Sequence, residues 1–120
     1  MANVFTQVGE EFVVDTLDGT SAVPANYYIG WGTGAGTAAK GSTTLFTEAA
    51  ESRVAATKSQ PTTDTNRWVG TLTAGSNKTI TNAGLFDASS GGRLIAHSDF
   101  AGVALTTGDA IQFTFDINWS

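Results

Sequence analysis

The sequence predicts an all-β domain, an antiparallel β-sandwich of jelly-roll type. Three observations carry this. Apolar and polar residues alternate strictly at the carboxy-terminal end. Short runs rich in β-branched and aromatic residues recur along the chain, separated by glycine-bearing turns. No segment has a helical period long enough to cover a sheet, so the apolar strand faces must be buried against one another.

Taken from the front, residues 1–9 read as an N-terminal arm and residues 10–120 as a single sandwich domain of the 120-residue chain. Glu11-Phe12-Val13-Val14-Asp15 and Tyr27-Tyr28-Ile29-Gly30-Trp31 are strand candidates, separated by Asp18-Gly19 and Pro24. The glycine-rich stretch 32–41 is a loop, and Thr44 to Glu51 is the one short helical turn expected. Arg53 to Lys58 reads as a strand. Arg67 to Thr73 and Lys78 to Thr81 flank the turn residues Ala74-Gly75-Ser76-Asn77, which predicts a hairpin. A second hairpin joins Ala83-Gly84-Leu85-Phe86 to Arg93-Leu94-Ile95-Ala96-His97 across Asp87 to Gly92. In Ile111 to Trp119 every odd position is apolar, so Ile111, Phe113, Phe115, Ile117 and Trp119 face one core.

Composition narrows the function classes. Only 14% of residues are charged, against roughly 25% in typical soluble domains, which points to buried interfaces and a homo-oligomer, dimer or trimer. With no cysteine, disulfides, thiolate metal sites and thiol catalysis are excluded. A net charge of −5 with six scattered cations argues against a nucleic-acid partner. No apolar run approaches the roughly 18 residues of a membrane helix, so no membrane partner is expected. The amino terminus lacks the basic and apolar stretches of an export signal.

No catalytic, cofactor-binding or metal-ligating residues are assigned. His97-Ser98-Asp99 holds the residue types of a hydrolase triad, but strand neighbours point to opposite faces, so His97 and Ser98 cannot readily share a proton. Gly30, Gly32, Gly34 and Gly36 alternate without the lysine or the strand-to-helix unit of a phosphate loop. Glycine there permits a bulge, a tight bend or a close backbone approach by a partner. The tryptophans are mainly core anchors. Val4, Phe5 and Trp31 are the interface candidates, the first two because a terminal segment orders only when tied down.

The order of Tyr27 to Gly34, Leu45-Phe46-Thr47-Glu48 leading to Arg53-Val54, and Ile80 to Asp87 with Gly91-Gly92 and Leu94-Ile95-Ala96 resembles a family of small virion proteins of tailed bacteriophages. The resemblance implies a capsid cement or decoration protein. Such a protein is made in the host cytoplasm, binds the major capsid protein on the capsid exterior and bridges neighbouring capsomers. Related hairpins in fibre and baseplate proteins make a tail-fibre component the alternative. A carbohydrate-binding sandwich is a second alternative, and an enzyme is not expected.

Overall fold

The computed structural model describes residues 3–119. Eight strands and one helix follow one another as β1 (Asn3–Phe5), α1 (Gln7–Leu17), β2 (Tyr28–Gly32), β3 (Val54–Ala55), β4 (Thr57–Thr62), β5 (Thr65–Thr73), β6 (Lys78–Phe86), β7 (Leu94–Leu105) and β8 (Ala110–Asn118). They form a five-stranded sheet of order β1-β7-β6-β2-β3 and a three-stranded sheet of order β4-β5-β8, antiparallel throughout. Ile29, Trp31, Ile80 and Leu85 from the first sheet share one core with Trp68, Leu72 and Phe113 from the second. The predicted all-β sandwich is therefore the architecture. Its five-and-three division, with in-sheet hairpins β4–β5 and β6–β7, lends no support to the double Greek key of a jelly roll.

Four local expectations are overturned. Glu11 to Asp15 belongs to α1, not to a strand: Thr6 caps the helix by accepting the Gly9 N–H on its hydroxyl at 2.9 Å. Val8, Gly9, Phe12, Val13 and Thr16 turn inward with helical period. Thr6 also donates to the Leu94 carbonyl at 2.5 Å, so the cap anchors the helix to β7.

Thr44 to Glu51 forms no helix. Its backbone is spent on β2 instead: the Thr47, Phe46 and Trp31 carbonyls accept from Thr33, Gly34 and Ala49 N–H groups at 3.0, 2.9 and 3.0 Å. The expected hairpin between Arg67–Thr73 and Lys78–Thr81 is a crossover, because β5 and β6 lie in different sheets. Buried Ala74 marks that corner, giving its N–H to Asp109 and its carbonyl to Gly108 at 2.7 and 2.8 Å. The run Arg53 to Lys58 likewise splits between sheets, with Ala56 bonding the Tyr27 carbonyl at 2.7 Å between β3 and β4.

Candidate functional site: a glycine-lined clamp and an open sheet edge

Because strand side chains alternate, Gly30 and Gly32 and the glycines that continue their spacing leave one face of β2 bare. The segment around Phe46 occupies that face. A Cβ on Gly32 would lie 2.4 Å from the Phe46 carbonyl oxygen, one on Gly34 2.6 Å from Thr47 Oγ1, and one on Gly36 2.8 Å from the Phe46 ring. The close approach that these glycines permit is made by the chain's own Phe46 segment, not by a partner.

Asn82, wholly buried on β6, holds the segment in place. Its amide oxygen accepts from the Phe46 N–H at 3.0 Å and its amide nitrogen donates to the Phe46 carbonyl at 3.1 Å. Since Phe46 N–H fixes that oxygen as an acceptor, the partner His97 Nε2, 3.0 Å away, carries the proton. The Phe46 and His97 rings lie 4.7 Å apart. Burial pushes the His97 pKa below the ordinary imidazole value, with Asp99 opposing, so the ring stays neutral here. His97 is thus a packing residue of the clamp, not a member of a triad with Ser98, whose hydroxyl bonds Asn3.

Arg53 closes the far end of the clamp. Its side chain, 7% exposed, grips the Glu48 carboxylate through Nε and Nη2 at 2.8 and 3.0 Å. Nη1 donates to the Ala88 and Gly91 carbonyls of the β6–β7 turn at 3.0 and 2.8 Å, while the guanidinium lies 3.4 Å from the Phe86 ring centroid. Gly30 leaves room for this, as a Cβ there would come 3.0 Å from Arg53 Cγ. The segments that carry the family resemblance therefore meet in one place, over a second small core of Leu45, Phe86 and Leu94. Their role is to lock a long loop onto the sheet.

Glu51 ties the other flank of the loop. Its carboxylate accepts from Lys78, from the Gly75 N–H at 2.8 Å and from Trp31 Nε1 at 3.1 Å. Burial works against the charge, but the hydrogen bonds from Lys78, Gly75, its own backbone and Trp31 outweigh it and hold the pKa at about 2.

Away from the clamp the sandwich opens along one side. There the β1–β7 edge faces β8 across a groove of about 450 Å³, lined by Phe5, Phe100, Phe113 and Phe115 with Asn3 and Ser98 at its rim. Phe100 and Phe113 stand 6.2 Å apart, and Phe5 meets Trp119 edge-on at 5.4 Å. The inner side chains of β8 are only half buried. Of the interface candidates, Val4 and Phe5 lie on β1 beside this groove, paired in register with His97 and Ala96. Trp31 does not join them: it is 1% exposed and packs in the core. Of the expected arm, residues 1 and 2 lie outside the described residues, 3–5 form the edge strand β1, and 7–9 begin α1. Sequence reasoning missed β8 as an open edge, because alternation reveals which face is buried but not which neighbour is lacking.

Among the described residues, no three histidine, aspartate or glutamate side chains gather in a way that could hold a metal ion. The fold is a small two-sheet β-sandwich with an open groove beside β8, in which Asn82, Arg53 and Glu51 brace the long loop. Compared with models of protein families, the chain matches over residues 5–118 the family described as podophage GP4 fiber I protein gp80. The chain belongs to that family, and so to the structural proteins of phage virions. Comparison with curated proteins finds no match. The family's name is that of a fibre protein, which favours the tail-fibre alternative over capsid decoration.

Proposed function

We propose that this protein is a structural component of a phage tail fibre and works by binding, without turnover of a substrate. The observation that carries the reading is the family match across 5–118, nearly the whole described chain. The architecture suits the role. A fibre transmits force through rigid modules, and here the longest loop is held by Asn82, Arg53 and Glu51 rather than left free to move. A chain present in many copies along a fibre also gains from weak, repeated contacts, since each contact after the first is effectively intramolecular.

Gold-labelled antibody against the protein, applied to intact virions, tests this. Label on the tail appendages is the expected result. Label spread over the head surface would replace the fibre reading with the capsid-exterior one, in which the major capsid protein is the partner.

A further inference from the structure

The two sheets end in four edge strands, and three of them are poor templates for further pairing. β1 and β3 are three and two residues long. β4 carries Lys58 and Pro61, and its register with β5 shifts between Ser59 and Thr62. Short length, lysine, proline and irregular register are the devices that keep a sheet edge from recruiting another chain. The part of β7 that runs past β1 contains Gly102 and a register shift, between Asp99 and Val103, opposite Asn82 and Ile80.

β8 has none of these devices. It is nine residues long, holds no lysine, proline or glycine, and pairs with β5 through nine consecutive residues without a shift. Its one charged side chain, Asp116, is bound by Arg67 through two contacts of 2.8 and 2.9 Å. Its other edge faces the groove.

The order of side chains along β8 says what fits there. Around Thr114 the strand reads Ile111-Gln112-Phe113, then Phe115-Asp116-Ile117, a palindrome in chemistry. We propose that β8 pairs antiparallel with β8 of a second copy about a two-fold axis at Thr114, joining the two three-stranded sheets into one of six strands. In that register Phe113 faces the partner's Phe115, and Ile111 the partner's Ile117. Gln112 faces the partner's Asp116, so each carboxylate meets an amide donor and no like charges stand opposed. An axis normal to the sheet keeps the inner faces of both strands on one side. The half-exposed Phe113, Phe115 and Ile117 then gain cover from their counterparts. The pairing concerns the chain itself and holds wherever in the virion the protein resides.

The absence of cysteine makes a direct test available. Residues opposite each other in an antiparallel pair have Cα atoms about 4.5–5.5 Å apart, within the roughly 4.4–6.8 Å that a disulfide spans. Thr114→Cys on the exposed face should therefore link into a covalent dimer under mild oxidation. Gln112→Cys should not, because its own counterpart lies four positions away, about 14 Å along the strand. Light scattering of the unmodified protein should give the dimer mass. Gln112→Asp, which sets carboxylates against Asp116 at two places, should loosen that dimer roughly two- to thirty-fold while leaving the circular dichroism spectrum unchanged. A monomer at tens of micromolar, a larger oligomer in which Thr114→Cys stays unlinked, or equal cross-linking at positions 112 and 114 would each overturn the proposal.

Discussion

Replacing Gly32 with alanine is the sharpest probe of the clamp. The added Cβ would sit 2.4 Å from the Phe46 carbonyl oxygen, 2.9 Å from Asn82 Nδ2 and 3.0 Å from the Thr47 carbonyl oxygen. Two of these are backbone atoms of the docked segment, so no flexible side chain can swing away. The segment must retreat, and with it go the paired Asn82 bonds to Phe46 and the bonds from Thr33 and Gly34. Overpacking of this kind costs about 1–3 kcal/mol, and each buried hydrogen bond lost adds about 1 kcal/mol. Partial relaxation offsets some of this, which puts the expected loss at about 2–4 kcal/mol.

Gly41→Ala is the matched control, since nothing lies within 4 Å of the Cβ it would add. It should change stability by no more than about 1 kcal/mol. Urea titration followed by tryptophan fluorescence and circular dichroism measures both variants, and limited proteolysis reports release of the 33–50 stretch before global unfolding. Equal midpoints for the two variants, with the loop equally protected, would refute the clamp.

Other outcomes follow from the same contacts. The Glu51 pKa of about 2 lies below its unfolded value near 4.5, so its contribution is complete above pH 4.5 and is lost as pH falls from there toward 2. Glu51→Gln should flatten that acid limb in a plot of unfolding free energy against pH. His97 is also depressed, so the unfolded chain binds its proton first and stability should begin to fall as pH drops below about 6.5. His97→Gln should remove this earlier decline. Arg53→Lys keeps the charge but loses the fork that reaches Glu48 and the turn carbonyls together, and should cost about 2 kcal/mol by chemical denaturation.

How much was legible in the sequence depended on whether a residue's pattern was decided locally. The alternation of Ile111 to Trp119 and the glycine-bearing turn at Asp87 to Gly92 name a strand and a hairpin without reference to the rest of the chain. The alternating glycines suggested a bend or a partner's approach, and they serve an approach by the chain itself. What approached them was not legible, because the Phe46 segment reaches β2 through long-range backbone bonds that no local period records. Phe12-Val13-Val14 looked like a strand because two of the three are β-branched. The Thr6 cap and the contact of Gly9 with the Ile95 carbonyl, where an added Cβ would come to 2.4 Å, decide for helix instead. Ala74 to Asn77 has turn composition, yet whether such a turn closes a hairpin or crosses between sheets depends on the partners of β5, which are β4 and β8.

Trp31 illustrates the same limit at the candidate site. A large aromatic beside a glycine stripe suits a contact surface or a core equally, and its packing between residues distant in sequence, such as Phe113, is what decides. The groove beside β8 could be found only once the sheet order was known.

Electron cryo-microscopy of the intact phage tests the central claim most directly, because the two-layer sandwich and its extended 33–50 loop are recognisable in a density map. This shape should fit an appendage of the tail. Its appearance as a regular outer layer on the head, with none in the tail, would contradict the account.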